Sequence, residues 1–315
     1  MKLYRIPLAR GLLLAPMSGY TNWPMRVLCR RFGAELCYTE MISSSGLIRK
    51  TRNTRALLAR PAEDSPLVAQ IFTASPGEAG LAARMVEDAG FDGIDINMGC
   101  PVKKIVYKGA GAALMRDVDR AVRLCLSVKG AVSIPVSAKI RAGWDQESIN
   151  APEMASRLQE TGIDCLILHP RTRAEMYRGV PRWDLLPAVK EQLLLPVVAS
   201  GNIHSPRDTL ALSGLGADAF MVGRASVGNP WIFRELSGGP APTAEERCEV
   251  MLEHLDLLCS LMGVERGIRF MRKYLSAYVR GLPEATRFRR VACTTDGLPE
   301  LKGVIKGFVS DHCLC

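Results

Sequence analysis

Several features that would decide the class of this protein are missing from its sequence. The ten cysteines include no C-x-x-C pair, which disfavours a zinc ribbon and a disulfide framework and fits a reducing compartment. No apolar run approaches the ~18 residues of a membrane span, and Leu12–Ala15 is too short for a secretory signal. No G-x-G-x-x-G follows the first predicted strand, so a Rossmann dinucleotide site is unsupported. We therefore expect a soluble cytoplasmic protein with no membrane or metal partner.

The composition is that of an ordinary globular protein. The chain has 315 residues, 48% of them hydrophobic and 23% charged, which suits one large domain or a domain with a small appendage. Lysine and arginine number 41 against 32 acidic residues, giving a net charge of +9. This excess favours a polyanionic partner, with nucleic acid as the first choice.

Short apolar runs alternate with amphipathic stretches of helical length, a pattern typical of βα units around a parallel sheet. Eight strands are predicted, namely Leu12–Met17, Leu36–Met41, Leu67–Phe72, Gly93–Asn97, Val136–Ile140, Cys165–His169, Val197–Ser200 and Ala219–Val222. Helices are predicted between them, at Trp23–Phe32, Gly77–Ala89, Val118–Val128, Pro152–Glu160, Asp184–Gln192, Arg207–Ser213 and Pro230–Leu236, with the second helix unclear within Ser43–Arg60. This count predicts an α/β fold, a (β/α)8 TIM barrel, with a doubly wound sheet as the rival.

A linker composition, Ser237-Gly-Gly-Pro-Ala-Pro, ends this alternation. Thr243-x-x-Glu246 then reads as a capping box that opens a helix ending at Gly263. We therefore predict a barrel domain over 1–238 and a small all-helical domain over 239–315. In the helical part, Arg269, Lys273, Ser276 and Arg280 form a polar stripe beside an apolar one.

The densest group of chemically useful residues follows the fourth strand, in Asn97-Met-Gly-Cys-Pro101. A free cysteine is usually a small apolar filler. For Cys100 we favour a functional role, because loops beyond barrel strands carry the active site. Lys139 interrupts a strand that is otherwise apolar, so its ammonium should meet an anion or a ligand; a structural ion pair with Asp95 or Glu40 is an equal alternative.

His169 ends its strand before the polar run Arg171-Thr-Arg173, which suggests a functional loop rather than a hydrogen-bonded core histidine. Two glycine turns, Ser200-Gly201-Asn202 and Val222-Gly223-Arg224, follow the last two strands. Backbone N–H groups at these places hold phosphates in barrels of this type, although simple turn chemistry would also use glycine. Together the turns predict a phosphorylated ligand.

These segments now resemble a known family. Five segments carry the resemblance: Leu14-Ala-Pro-Met-Ser-Gly-Tyr-Thr-Asn22, Asn97-Met-Gly-Cys-Pro101, Lys139-Ile-Arg-Ala-Gly-Trp144, His169-x-Arg-Thr-Arg173 and Val222-Gly-Arg-Ala225. They are similar to motifs of the tRNA-dihydrouridine synthases, most closely the bacterial B type. The likeness extends to Gly267-x-Arg-x-x-Arg-Lys in the helical part. Three departures are Ser200-Gly201-Asn202 for Asn-Gly-Asp, Pro170 for glycine and Tyr274 for histidine, and they affect details of flavin and tRNA contacts.

The resemblance implies an FMN-dependent oxidoreductase that uses NADPH as reductant and converts a tRNA uridine to 5,6-dihydrouridine. Cys100 would protonate C5 while hydride reaches C6. The residues implied to hold the flavin are Pro16, Met17, Gln70, Lys139, His169, Gly201, Asn202, Gly223 and Arg224. Those implied to contact tRNA are Asn97, which would position the uracil, and Arg141, Arg171, Arg173, Arg269, Lys273 and Arg280. We expect a monomer.

Two other interpretations remain at this point. A flavin barrel that reduces or oxidises a free small molecule, such as dihydroorotate, would use similar phosphate and lysine positions, but it leaves the basic helical part unexplained. A non-catalytic RNA-binding protein could keep the fold. Intact Cys100 and Lys139 weigh against that second alternative.

Overall fold

The structure is a computed structural model that describes residues 1–310, apart from the side chains of residues 53, 309 and 310. The sequence feature His312–Cys315, two thiols and an imidazole near the chain end, lies outside the described residues. Within the described part, no helix is long and apolar enough to cross a membrane. The chain forms two compact units, one of 1–23 with 34–223 and the other of 24–33 with the chain from 224 onward.

The first unit is built on parallel strands. The strands of the chain are β1 (Lys2–Leu3), β2 (Ile6–Pro7), β3 (Leu12–Leu14), β4 (Leu36–Tyr38), β5 (Ile42–Ser43), β6 (Leu67–Phe72), β7 (Gly93–Asn97), β8 (Val136–Gly143), β9 (Cys165–Thr172), β10 (Val197–Ser200) and β11 (Ala219–Val222). Eight of them close a ring in the order β3, β4, β6, β7, β8, β9, β10, β11, because β11 pairs with β3 and β4 pairs with β6. The predicted TIM barrel is confirmed, and the open doubly wound sheet is excluded.

Helices follow most of the strands. They are α1 (Trp23–Arg31), α2 (Ser44–Ile48), α3 (Arg52–Leu58), α4 (Pro76–Asp88), α5 (Lys103–Tyr107), α6 (Val118–Lys129), α7 (Ala151–Gln159), α8 (Leu185–Glu191), α9 (Pro206–Gly214), α10 (Ile232–Leu236), α11 (Ala244–Met262), α12 (Val264–Tyr278), α13 (Ala285–Ala292) and α14 (Leu298–Ser310). Short 3₁₀ helices occupy Gly111–Arg116 and Arg224–Ser226. The unclear second helix is resolved as α2 and α3.

The predicted strand Leu36–Met41 is wrong in its second half. It ends at Tyr38, and β5 resumes the pairing with β6 at Ile42. Between them, the hydroxyl of Thr39 accepts the N–H of Gln70. A side-chain oxygen thus replaces a ladder carbonyl, and the interruption turns the chain at Glu40 toward the loop at Gly19, whose N–H donates to the Glu40 carboxylate.

Strands β8 and β9 run further than predicted, to Gly143 and Thr172 instead of Ile140 and His169. Their pairing continues past Arg141↔His169 to Gly143↔Thr172 through an irregular register. Arg141 and Arg171 therefore lie on strands, and not in the loops that the predicted strand ends imply.

An N-terminal hairpin of β1 and β2 covers one end of the barrel, and sequence analysis does not predict it. Its turn, Tyr4–Arg5, has positive φ at both residues without glycine or asparagine to signal it. The Tyr4 ring lies against Gly93, where an added Cβ would come within 2.5 Å of Tyr4 Cδ1. Glycine is required at the start of β7 because this ring is there.

The second unit is all-helical and includes α1 residues from Pro24 onward. Phe32 packs against Trp231 with ring centroids 5.7 Å apart, and Trp231 meets Tyr278 at 5.8 Å. Arg31 also forms a salt bridge with Glu253. The compact units divide at 223/224, so that α10 belongs to the helical unit. The functional boundary after residue 238 stays a prediction.

Helix α11 begins as predicted, since the hydroxyl of Thr243 accepts the N–H of Glu246 at 3.2 Å. The second half of the predicted capping box is different, because the Glu246 carboxylate accepts hydrogen bonds from both terminal nitrogens of Arg234, each at 2.7 Å. The helix ends at Gly263, whose φ of 84° is left-handed. The apolar stripe predicted beside Arg269, Lys273, Ser276 and Arg280 includes Ile268, Met271 and Leu275 of α12, and all three are buried.

Candidate active site

Cys100 lies in the loop that follows β7, at the carboxyl end of the barrel strands. The residue is buried, with 8% of its surface exposed. The Asn97 side chain fixes the loop, because its Oδ1 accepts the N–H of Gly99 at 3.2 Å and of Cys100 at 2.9 Å. The position of the thiol is thus set by a strand-end amide and not by the loop alone.

Arg141 holds the same loop from the neighbouring strand. Its Nε donates to the carbonyl of Gly99 at 2.5 Å, and its Nη1 donates to the carbonyls of Thr172 and Met176 at 2.9 and 2.7 Å. The guanidinium is buried and occupied by backbone oxygens. This arrangement ties the Cys100 loop to the loop that follows β9, which is a positioning role.

The pKa of the Cys100 thiol is raised from its ordinary value because burial disfavours the thiolate, although the Val102 backbone and Arg141 act in the opposite direction. The side chain therefore carries its proton at neutral pH. A protonated thiol at the barrel mouth is suited to act as a general acid, and unsuited to act as a nucleophile.

A chain of polar side chains runs from Cys100 down through the barrel. Asn97 Nδ2 donates to Gln70 Oε1 at 2.9 Å, and Gln70 Nε2 donates to Asp95 Oδ2 at 2.6 Å. Asp95 also accepts a close hydrogen bond from Ser137. Burial raises the pKa of Asp95 to about 6, while Gln70, Ser137 and Lys139 oppose the shift.

The same chain ends on two tyrosines at the covered end of the barrel. The Tyr38 hydroxyl donates to the Tyr4 hydroxyl at 3.1 Å, and Tyr4 donates to Ser137. Burial raises the pKa of both phenols well above the ordinary value, so they remain neutral donors. The hydrogen bonds therefore point toward Asp95 from both sides and stabilise its carboxylate.

Lys139 is half-buried in β8, and its ammonium donates to the hydroxyl of Ser200 at 3.1 Å. The direct ion pair with Asp95 or Glu40, which the sequence left open, is not formed within residues 1–310. Burial lowers the pKa of Lys139 to about 7, and Asp95 acts in the opposite direction. A cation with only a neutral partner is available to an electron-rich ligand.

His169 and Gly201 are close neighbours. A Cβ added at Gly201 would come within 2.8 Å of His169 Cδ2, and its φ of 127° is rare for other residues. The next residue, Asn202, also has a positive φ of 49°. Next to His169, this turn therefore presents backbone groups and no side chain at Gly201. A phosphate or a ring can approach such backbone groups closely.

Arg171 is buried and interacts with groups on several sides. It donates to the carbonyls of Arg178 and Gly179 at 3.0 and 2.6 Å and to Asn202 Oδ1 at 3.2 Å, and its Nη1 lies 3.2 Å from His169 Nε2. Like Arg141, it orders loops around the mouth. Arg173 instead lies over the Trp144 ring, 4.7 Å from the centroid.

The other predicted flavin residues lie at the ends of β3 and β11. Pro16 and Met17 follow β3, and Met17 Sδ would lie 3.7 Å from a Cβ added at Gly223. Gly223 is the last residue of the barrel unit, and Arg224 opens the 3₁₀ helix Arg224–Ser226 of the helical unit.

The predicted RNA-contacting residues of the helical unit lie on and just after α12. Arg269 pairs with Glu265 at 3.1 Å and is more than half exposed. Lys273 Nζ lies 3.3 Å from the Phe270 ring centroid. Arg280 follows the helix and is exposed. These three cations belong to the second compact unit, and Cys100 belongs to the first.

Sequence analysis missed part of the polar chain. Asp95 was considered only as an ion-pair partner, yet an acidic residue between Ile94 and Ile96 in a buried strand is the same signal that singled out Lys139. Ser137 and Tyr4 carry no comparable local signal. Among the described residues there is no cluster of three or more His, Cys, Asp or Glu side chains that could hold a metal.

Comparison with known proteins adds the family. The family model described as Dihydrouridine synthase (Dus) matches residues 13–303. The chain is 39% identical over 294 residues to "tRNA-dihydrouridine synthase B" of Pseudomonas aeruginosa, covering 91% of this chain and 88% of that protein. It is 40% identical over 268 residues to a "Probable tRNA-dihydrouridine synthase" of Rhizobium leguminosarum, covering 85% and 84%. The chain belongs to the dihydrouridine synthase family.

Solved structures show the same fold at low identity. A morphinone reductase complex superposes with a TM-score of 0.53 at 13% identity, covering 77% of this chain and 90% of that one. A variant of NCR from Zymomonas mobilis gives 0.55 at 17% identity, with 77% and 91% covered. Membership of the dihydrouridine synthase family confirms the predicted family and the prediction of an oxidoreductase, and these neighbours support the barrel.

Proposed function

We propose that this member of the family reduces a uridine of tRNA to 5,6-dihydrouridine, with FMN bound in the barrel mouth and NADPH as the reductant. The observation that carries the proposal is the buried, protonated Cys100 thiol on a loop held by Asn97 and Arg141. In this proposal the barrel, 1–238, carries the chemistry and the helical part, 239–315, binds tRNA.

The residues present fit a flavin mononucleotide. Lys139 offers a half-buried cation whose hydrogen-bond partner is neutral. His169 lies on the neighbouring strand β9, and Gln70 lies on β6, two strands away on the other side. The turn at Gly201, where a side chain would collide with His169, leaves backbone free to approach a phosphate. Lys139, Gln70 and His169 would face the ring system, with Pro16 and Met17 beside it. Gly201, Asn202, Gly223 and Arg224 would hold the phosphate.

The chemistry that FMN would supply at this site, when bound and reduced, is a hydride for C6 of the uracil. The protein supplies the second hydrogen as a proton, from Cys100 Sγ to C5. The raised pKa of this thiol keeps the proton in place until the base arrives, and a positioned general acid contributes about 10²–10⁴-fold in rate. Asn97 fixes the loop and, through it, the direction of the thiol.

Lys139 would offset negative charge on its ligand when it is charged. Its pKa is lowered by burial and raised by Asp95, so the carboxylate below it helps to keep the ammonium charged at neutral pH. Arg141 and Arg171, expected to touch the substrate, are occupied by backbone carbonyls; we propose that they shape the loops that receive it. Arg173, Arg269, Lys273 and Arg280 remain proposed RNA contacts.

The direct test is mass spectrometry of nucleosides from unmodified tRNA incubated with the purified protein and NADPH. A gain of two daltons on uridine is the expected result, and fragment mapping then locates the modified position. A protein that binds FMN and is reduced by NADPH, yet leaves every tRNA uridine unchanged, would overturn the tRNA assignment and favour a small-molecule substrate.

A further inference from the structure

The segment directly after Cys100 has an unusual charge pattern. From Pro101 to Arg116 the sequence contains four cations and no acidic residue. Lys103, Lys104 and Lys108 lie in or next to α5, none of whose residues is buried. All four cations are exposed, and none forms an ion pair among residues 1–310. Such a run of exposed, unpaired cations is available to an external anion.

An aromatic side chain stands in the middle of these cations. Tyr107 is 94% exposed, which makes it the most exposed aromatic among the described large hydrophobic residues. A single exposed apolar residue needs no explanation, but a ring between Lys104 and Lys108 presents a flat face beside two positive charges. A base stacked on that face would place its phosphates near the lysines.

A groove adjoins the same surface. It encloses about 340 Å³, and Tyr107, Arg116, Arg120 and Trp144 contribute to its lining. The Arg116 guanidinium lies 4.9 Å from the Trp144 ring centroid. Two aromatic and two cationic side chains thus line it, together with Val106, Gly109 and Ala113. Aromatic rings beside cations are the combination that binds single-stranded nucleic acid without reading its sequence.

The surface is rigidly joined to the candidate acid. The N–H of Ala112 donates to the carbonyl of Cys100 at 3.0 Å. Gly111 has a φ of 60°, and a Cβ there would lie 2.8 Å from the same carbonyl and 2.9 Å from Ile105. Whatever binds on α5 is therefore held at a fixed place relative to the thiol.

We propose that Lys103, Lys104, Tyr107, Lys108, Arg116 and Trp144 form a docking surface on the barrel for the RNA strand that adjoins the target uridine. This docking surface rests on the proposed function and deepens it, because it places RNA contacts on the catalytic unit itself. When a base is turned out of a folded RNA, the protein must bind the neighbouring nucleotides to hold the strand in place. The cations take their phosphates, and Tyr107 takes one neighbouring base.

The test compares two triple variants of the full-length, flavin-loaded protein. Lys103→Ala, Lys104→Ala and Lys108→Ala remove three charges from the docking surface. The matched control, Lys2→Ala, Arg84→Ala and Arg123→Ala, removes three exposed cations elsewhere on the same unit. Binding of unmodified tRNA is measured over a series of salt concentrations. In the first variant the fall of log K with log[salt] should become shallower by about 2–3 in slope, and in the control the slope should not change.

Tyr107 provides a second measurement that does not depend on charge. Tyr107→Ala should weaken tRNA binding roughly 5- to 150-fold, because a stacking platform is lost. Tyr107→Phe keeps the ring face and should restore most of the affinity. Oxidation of NADPH by the bound flavin without tRNA should be unchanged in both, since Tyr107 is at the surface.

The outcomes separate this inference from the proposed function. If the wild type forms no dihydrouridine and binds no tRNA, the proposed function fails, and the docking surface fails with it. If the wild type is active but the lysine variant keeps its affinity and salt slope, or the control loses as much, the inference alone is overturned. Loss of binding in Tyr107→Phe equal to that in Tyr107→Ala would exclude the stacking role.

Discussion

Gln70 Nε2 donates to Asp95 Oδ2 over 2.6 Å, and both side chains are fully buried inside the barrel. Since Gln70 also accepts from Asn97, whose other amide atom holds the N–H of Cys100, this hydrogen bond joins the barrel interior to the candidate acid. The same carboxylate opposes the lowering of the Lys139 pKa by burial. Asp95 thus influences both groups that the proposed chemistry uses.

Replacing Asp95 with Asn should change the pH dependence of the reaction. Without the carboxylate, the pKa of Lys139 falls further, so the charged ammonium is lost at a lower pH. The alkaline limb of kcat/KM for tRNA should move down by roughly 1–3 pH units, the size of one opposite-charge interaction. The profile is measured on flavin-loaded protein, with flavin content determined for each preparation.

Asp164→Asn is the matched control for that variant. Asp164 is also a carboxylate beside a barrel strand, but it pairs with Lys129 and the N–H of Val136. Its replacement should not shift the alkaline limb of the kcat/KM profile. An Asp95→Asn profile that coincides with the wild type would show that the carboxylate does not control the charge of Lys139.

Replacing Cys100 with Ala should preserve flavin binding and lower turnover by about 10²–10⁴-fold, since a general acid is removed and little else changes. Single-turnover oxidation of reduced enzyme by tRNA measures the step directly. Cys293→Ala, which removes a half-buried thiol from the helical unit, serves as the control. An undiminished rate in Cys100→Ala would refute the assignment of the acid.

Gly201→Ala should weaken flavin retention and cost about 1–3 kcal/mol of stability. The added methyl would lie 2.8 Å from His169 Cδ2 at a backbone φ of 127°. Gly214→Ala, in a helix with nothing within 4 Å of the new methyl, should be neutral or stabilising. Thermal unfolding and flavin fluorescence compare the two, and equal behaviour would contradict a tight turn beside His169.

His254 should make stability depend on pH. It is fully buried on α11, its Nδ1 lies 3.0 Å from the Tyr278 hydroxyl, and burial lowers its pKa from 6.5 to about 3. Between those values the unfolded chain binds the extra proton, so this contribution to stability is complete above pH 6.5 and declines as pH falls. The limiting slope is about 1.4 kcal/mol per pH unit.

His254→Gln removes the titrating group, so the difference in free energy of unfolding between the two proteins should narrow on acidification. Urea unfolding at about pH 7 and about pH 5 measures it. A difference that does not change with pH would show that His254 is not buried as a neutral ring.

In the helical unit, Lys273→Ala together with Arg280→Ala should weaken tRNA binding and lower its salt slope by up to about two. Arg266→Ala with Lys302→Ala removes the same charge from other exposed or partly exposed positions of that unit. If both pairs have equal effects, only net charge matters. If neither affects binding, the tRNA-binding face of this unit does not include Lys273 and Arg280.

The amino-acid sequence by itself determined the order of the eight barrel strands, most of the helices between them, and the family. Period-two and period-3.6 apolar patterns are local, so they place β6, β7, α6 and α11 within a residue or so. Motifs around Cys100, Lys139 and His169 are short and contiguous, so they too can be read along the chain. These motifs all follow strands of a parallel barrel, and the carboxyl ends of such strands lie at one end of it. The sequence therefore also predicts that the motifs meet there.

Only the tertiary structure decided which polar groups meet. Tyr4, Tyr38, Ser137 and Asp95 come from four distant parts of the chain, and their hydrogen bonds exist because ring closure brings β4, β7 and β8 around the hairpin residue Tyr4. Arg141 could not be assigned to backbone carbonyls from its motif, because those carbonyls belong to loops whose path depends on strand length. Hydrogen bonds between distant segments are fixed by packing, and packing leaves no periodic signal in the sequence.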